Sequence, residues 1–69
     1  MNVVAENIGR KVKFARNVKG LTQIAVASQM HMTQQQYSRF ELGVYELNYQ
    51  QIIFLCKLLE ISASSLFDV

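Results

Sequence analysis

Sixty-nine residues form one domain at most, so residues 1–69 are expected to be a single folding unit. Hydrophobic residues make up 51% of the chain, which is enough for one core, and the lack of proline leaves predicted helices unbroken. A net charge of +2 is mildly basic and identifies no partner by itself, and the single cysteine excludes an internal disulfide.

The sequence carries no signal for a membrane or an oxidising compartment. No apolar run approaches the ~20 residues that span a bilayer, and residues 1–10 lack a basic segment followed by an apolar core. A lone cysteine, Cys56, is typical of a reducing compartment. We therefore expect a cytoplasmic protein with no membrane partner.

The first predicted helix covers residues 3–19. Ile8, Val12 and Ala15 recur at spacings of four and three, which is the period of a buried helical face. Gly20 is expected to end the helix, because glycine adopts the left-handed cap conformation without penalty.

The same helix carries a basic run, made of Arg10, Lys11, Lys13, Arg16 and Lys19. Such a run is usually a solvated helix face, so it indicates a nucleic-acid partner only with corroboration. Phe14 and Val18 stand four residues apart on this helix and lie off its core face. They would cover a neighbouring helix or another chain, and the sequence leaves that choice open.

The second predicted helix begins after Thr22, a suitable N-cap, and runs to about residue 29. Val26, Ala27 and Met30 form its buried stripe. Ala27 is small where a following helix would cross steeply at a tight turn, and the link of residues 30–32 is short enough for such a turn.

The third predicted helix starts at a capping box of Thr33 and Gln36 and runs to about residue 42, before Gly43. Tyr37 and Phe40 fall on its core face. The opposite arc carries Gln34, Gln35, Ser38 and Arg39, with Leu42 among them. Glutamine can bond adenine and arginine can bond guanine in the major groove, so this face is suited to DNA.

The sequence after Gly43 predicts one longer helix and one short helix. The fourth is capped by Asn48 and is expected to turn four side chains inward: Tyr49, Ile52, Cys56 and Leu59. The fifth is a short turn capped by Ser62 that would return Leu66 and Phe67 to the core. The links leave no room for strands, so the predicted fold class is all-α.

The chain contains several short sequence motifs at a characteristic spacing. They are Ile8-Gly9-Arg10, Gly20-Leu21-Thr22-Gln23, Thr33-Gln34-Gln35, Phe40-Glu41-Leu42-Gly43, and Leu59-Glu60-Ile61-Ser62 followed by Leu66-Phe67. In these motifs and their spacing the chain resembles the lambda-repressor-like, Cro-type helix-turn-helix family. The resemblance implies a compact five-helix bundle with the helix-turn-helix at residues 23–42. The Thr-Gln-Gln opening of the third helix is similar to that of the glutamine-reading phage repressors.

The resemblance also implies a function and its residues. The chain would be a transcriptional regulator, a repressor or controller, that binds double-stranded DNA as a homodimer on a palindromic operator. The positions implied to contact DNA are Gln23, Thr33, Gln34, Gln35, Ser38, Arg39 and Asn48. Gln23 would also brace the third helix, and Arg16 and Glu41 match a frequent internal ion pair of the family.

The C-terminal residues suggest how the chain would dimerise, and three other positions or segments differ from the family pattern. The chain ends on apolar Phe67 and Val69, which are expected to form a symmetric dimer contact. His31 and Glu60 stand where the family usually has glycine. The loop of residues 44–46 lacks the basic side chains that often hold phosphate there.

An antitoxin-like module that binds a protein with the same fold is the main alternative, and the loop of residues 44–46 favours it. An enzyme is not expected, because no carboxylate pair, serine–histidine pair or phosphate loop is present. No metal is expected, since His31 is the only histidine and Cys56 lies on another helix. No cofactor is expected, and no small-molecule effector is evident from the sequence. The operator sequence and the direction of regulation stay open.

Overall fold

A computed structural model describes residues 3–67 and contains five α-helices, with no strand among those residues. The helices are α1 (Val3–Val18), α2 (Gln23–Gln29), α3 (Gln34–Glu41), α4 (Tyr49–Leu59) and α5 (Ala63–Phe67). The predicted all-α class is confirmed, and the helix bounds lie within about one residue of those expected from the sequence.

Side-chain caps start the four later helices. Thr33 Oγ1 accepts a hydrogen bond from Gln36 N at 3.1 Å, and Gln36 Oε1 accepts one from Thr33 N at 3.3 Å. This is the reciprocal box that the sequence predicts, and it satisfies amides that a helix start leaves without partners. The other capping residues are Thr22 for α2, Asn48 for α4 and Ser62 for α5.

Four residues that end helices or form turns adopt the left-handed backbone region: Gly20, His31, Gly43 and Glu60. Glycine reaches this region without steric cost, whereas His31 and Glu60, both with a φ of 56°, hold it at some cost. These two are the positions at which the resemblance expects glycine. His31 and Glu60 therefore adopt the left-handed backbone that glycine would favour at these positions.

The core lies where the five helices meet, and each helix contributes at least one deeply buried side chain. The largest fully buried side chains are Val12, Val26, Tyr37, Leu55 and Leu66. Removing such apolar area from water is the main favourable contribution to folding. Ile8, Ala15 and Ile52 are half-buried and pack around this centre.

Two predictions about α4 and α5 need correction. Tyr49 was expected to face inward but is 79% exposed, because it is the first residue of α4 and stands before the helix meets the core. Leu55, in the middle of α4, is fully buried instead. Leu66 returns to the core as expected, whereas Phe67 is 43% exposed. Val69, the other expected dimer residue, lies outside the described residues.

Close packing of backbones holds α3 against α1. A Cβ added at Gly9 would collide with the carbonyl group of Glu41 and would lie 2.9 Å from Phe40 O. A Cβ added at Gly43 would lie 2.8 Å from Glu6 Cα. Because both neighbours are backbone atoms, neither glycine can gain a side chain without a shift of the helices. The end of α3 is therefore positioned directly by α1.

None of the helices within residues 3–67 combines the length and the apolar character that crossing a bilayer requires.

Candidate nucleic-acid interface

The link between α2 and α3 is a tight turn whose backbone is held by α2. Met32 N donates to Ala27 O at 2.9 Å, and His31 N donates to Ser28 O at 3.2 Å. Ala27 is 1% exposed at the point where the two helices approach, as its small size predicts. His31 adopts a positive φ within this turn, and α3 starts shortly after it and packs on α2.

Helix α3 has one buried and one outward-facing side. Tyr37 and Phe40 are buried, with their ring centroids 6.0 Å apart. On the other side Gln34, Gln35 and Arg39 are exposed and Ser38 is half-buried. The division predicted from the helical period is confirmed, and the outward side presents amide, hydroxyl and guanidinium groups without a carboxylate.

A chain of hydrogen bonds runs from the outward side of α3 to the interior. Gln34 Nε2 donates to Gln23 Oε1 at 3.1 Å, and Gln23 Nε2 donates to Glu41 Oε1 at 2.9 Å. The amide of Gln23 therefore uses its acceptor on Gln34 and one of its donors on Glu41. These two hydrogen bonds fix the orientation of the Gln23 amide. Gln23, the first residue of α2, is therefore bonded to residues at both ends of α3.

Arg16 and Glu41 form a buried, bidentate ion pair behind this chain. Arg16 Nε lies 2.7 Å from Glu41 Oε2, and Arg16 Nη2 lies 3.2 Å from Glu41 Oε1. Arg16 Nη1 also donates to Leu21 O at 2.8 Å. The two residues are 7% and 5% exposed, so the pair that the resemblance implies lies inside the protein. It ties α1, the α1–α2 link and the end of α3 together.

Burial and hydrogen bonding shift the ionisation of this cluster. Burial alone would raise the pKa of the Glu41 carboxyl, but hydrogen bonds from Arg16 and Gln23 outweigh it, and the pKa lies below its ordinary value. The hydrogen bond to Glu41 raises the pKa of Arg16. Burial, reinforced by the nearby carboxylate, raises the pKa of the Tyr37 hydroxyl far above its ordinary value. At neutral pH the ion pair is therefore fully charged and Tyr37 is neutral.

The remaining candidate residues lie at helix starts near the same surface. Thr33 is exposed at the cap of α3, and Asn48 is exposed at the cap of α4. Asn48 and His31 line one shallow depression of about 300 Å³, which places the start of α4 beside the turn between α2 and α3. Exposed caps of this kind present backbone amides with partial positive charge.

The basic run of α1 is divided by the fold. Arg16 is buried, Lys19 pairs with Glu60, and Lys11 Nζ donates to Ser65 O at 3.0 Å. Arg10 and Lys13 are exposed, and Arg10 is hydrogen-bonded to Asn7 of its own helix. The run is therefore not one uniform solvated face, because Arg16 belongs to the core, Lys11 connects α1 to α5, and Lys19 connects the end of the run to Glu60.

Sequence reasoning missed the role of Gly9. Its proximity to α3 follows from an encounter between residues about thirty positions apart. The available signal was the glycine itself, because an isolated glycine inside a helix lowers helix stability by about 1 kcal/mol and usually has a packing reason.

Metal or thiol chemistry finds no support in the described part of the chain. Across residues 3–67 no group of three histidine, cysteine, aspartate or glutamate side chains comes together as a metal site. Cys56 is half-buried, and burial raises the pKa of its thiol, which lowers its reactivity.

Comparison with known proteins agrees with this geometry. A family model described as a helix-turn-helix domain matches residues 9–69, from Gly9 on α1 through all the later helices. A search of curated proteins gives no match. Because the family model covers most of the chain, and includes α2, the turn and α3, the chain belongs to the helix-turn-helix domain family, whose domains are DNA-binding and regulatory.

Proposed function

We propose that this chain is a sequence-specific transcriptional regulator that binds a palindromic operator as a dimer, with α3 in the major groove. In this proposal residues 1–69 act as one domain in the cytoplasm. The observation that carries it is the outward side of α3. Gln34, Gln35 and Arg39 are exposed there, and the first residue of the helix is hydrogen-bonded to Gln23. A side chain that recognises a base must be held in place by its neighbours.

Gln34 is suited to adenine because of its bond to Gln23. That bond uses one N–H of the Gln34 amide and leaves its Oε1 and second N–H for a base. These two groups match adenine N6 and N7 in the bidentate contact that glutamine makes in the major groove. Gln35 would make a similar contact, Arg39 would bond guanine or a phosphate, and Ser38 would bond either base edge.

Contacts with the DNA backbone would come from the two exposed caps and from Gln23. Thr33 starts α3, and Asn48 starts α4 next to the turn. Amides at helix starts attract phosphate, so these ends would position the protein without selecting a sequence. Regulation would follow from occupancy, most simply as repression by blocking polymerase.

The proposed dimer contact centres on Phe67. This side chain is 43% exposed and lines an apolar groove of about 520 Å³ together with Tyr49 and Ile53, which are also exposed. Burial of this surface in a second copy would remove apolar area from water. A dimer would place two α3 helices on half-sites about 34 Å apart and would double the sequence that is recognised.

Selection of bound sequences from a random DNA pool tests this function. We expect a palindrome whose half-sites are about one helical turn apart, and we expect no motif from a Gln34→Ala/Arg39→Ala double variant. If selection with the wild-type protein enriched no DNA motif, that result would contradict the proposal. It would favour the antitoxin-like alternative, which is supported by the exposed Val44 and Glu46 in a loop without basic residues.

Sedimentation of the full chain, with and without the selected operator, tests the dimer. We expect Phe67→Ser to weaken self-association. We expect Phe14→Ser, which removes a still more exposed phenylalanine on α1, to leave it unchanged. A wild-type protein that stays monomeric at high concentration and on DNA would exclude the dimer.

A further inference from the structure

Two apolar side chains on α1 lie far from both the core and α3. Phe14 is 60% exposed and Val18 is 73% exposed, although they stand one turn apart on the same side of the helix. They form one wall of a groove of about 690 Å³ between α1 and the chain from Leu59 to Leu66. We call this the α1 groove. Leu59 and Leu66, each 2% exposed, lie at its floor.

The rim of the α1 groove is basic. Among residues 3–67 the charged residues that line it are Arg10, Lys11 and Lys19, which are basic, and Glu60, which is acidic. The charge of Glu60 is matched by its ion pair with Lys19. Lys11 donates to Ser65 O and keeps its positive charge. An apolar groove with a net positive rim is complementary to an apolar side chain that is flanked by carboxylates.

The groove faces away from the candidate DNA interface. Gly9 and Arg16 contact the end of α3, and they share one side of α1 because they are seven residues apart. At about 100° per residue, Phe14 and Val18 project from the opposite side. An occupant of the groove would therefore not need to displace DNA from α3.

Other occupants fit the groove less well. A second copy in a symmetric contact would bring two positively charged rims close together, and like charges in contact are unfavourable. A flat bilayer surface cannot reach Leu59 and Leu66 at the floor. A nucleic acid would place phosphates over an apolar centre that offers them no hydrogen bond.

We propose that the α1 groove is a docking site for an acidic, amphipathic segment of a partner protein. An apolar side chain of that segment inserts between the Phe14 and Val18 wall and the floor of the groove. Carboxylates on either side of it pair with Arg10 and Lys11. The protein would thereby join a partner to the operator while α3 holds the DNA.

The test is a selection of displayed random 16-residue peptides on the full chain, with a Phe14→Ser/Val18→Ser variant used for counter-selection. Both side chains are largely exposed, so the variant is expected to fold and to keep its DNA binding. We expect the retained peptides to combine at least two acidic residues with an apolar residue. Their binding to the variant should be weaker by about tenfold or more, as for a buried apolar anchor.

Matched variants distinguish specific peptide binding in the groove from nonspecific apolar binding and from binding by charge alone. Phe54→Ser removes another exposed phenylalanine, which is 41% exposed and lies outside the groove, and should leave peptide binding unchanged. Arg10→Glu should weaken binding by about fivefold through loss of charge complementarity. The proposal is overturned if no retained peptide depends on Phe14 and Val18, or if the retained peptides are neutral or basic. It is also overturned if anionic phosphatidylserine vesicles bind through the same two residues more tightly than the peptides do.

Discussion

Gln34 Nε2 lies 3.1 Å from Gln23 Oε1 and donates a hydrogen bond to it, so the first residue of α3 is held by the first residue of α2. Because Gln23 also donates to Glu41, the amide of Gln34 is oriented by a buried carboxylate at the far end of its own helix. Stability and the geometry of the outward side of α3 therefore depend on the same cluster. A change in the ion pair should affect both.

Removal of either partner of the ion pair should destabilise the domain strongly. Glu41→Ala leaves Arg16 as a buried unpaired charge, and we expect a loss of about 3–5 kcal/mol in the free energy of unfolding. Arg16→Ala should lose a similar amount. The measurement is urea unfolding at neutral pH. A matched Arg16→Met/Glu41→Leu variant leaves no charge behind and should recover much of the loss. Single variants whose free energy of unfolding lies within about 0.5 kcal/mol of the wild type, as for ordinary surface substitutions, would contradict a buried pair.

Acid should weaken the domain through the same carboxylate. The pKa of Glu41 is lower in the folded protein than its ordinary value of 4.5. Between these two values the unfolded chain binds more protons, so this contribution to stability is complete above pH 4.5 and is lost as the pH falls through the folded pKa. We expect Glu41→Gln to be less stable at pH 7 and to show a flatter pH dependence below 4.5 in urea unfolding. If the free energies of unfolding of the wild type and of Glu41→Gln fell in parallel below pH 4.5, protonation of Glu41 would not be the cause of the acid sensitivity.

Gly9→Ala should also destabilise the domain, but for a steric reason. The added methyl group would meet the backbone of Glu41 and Phe40, which cannot rotate away as a side chain can. Overpacking of this kind costs about 1–3 kcal/mol, which exceeds the gain in helix propensity of about 1 kcal/mol. Thermal melting is the measurement. Gly20→Ala is the control for glycine removal in open space, since no atom lies within 4 Å there and only its positive φ opposes the change. A Gly9→Ala variant as stable as the wild type would show that the helices can separate without cost.

Helix starts and faces were predictable because they depend on residues only three or four positions apart. The box of Thr33 and Gln36 and the inward side of Tyr37 and Phe40 are of this kind. The resemblance supplied the ion pair of Arg16 and Glu41, which no local pattern contains.

Features that depend on encounters between distant segments were less accessible. Tyr49 has the period of the buried face of α4 but stands at the helix end, beyond the core. Gly9 gives no sign in the sequence of which helix it approaches. The α1 groove arises only when the segment after α4 packs beside Phe14 and Val18.

Variants of α3 and α1 should differ in how they change DNA binding. Gln34→Ala and Gln35→Ala remove groups that face outward from the first turn of α3, and a lost bidentate base contact costs about 1–3 kcal/mol and relaxes one position of the half-site. Lys13 is exposed on α1, which carries no base-facing side, so it would act through phosphate. Lys13→Ala should then weaken all sequences alike and reduce the salt slope by about one unit. The measurement is binding of each variant to a panel of single-base operator mutants at two salt concentrations. Glutamine variants that keep the wild-type ranking of the panel would show that α3 does not select the sequence.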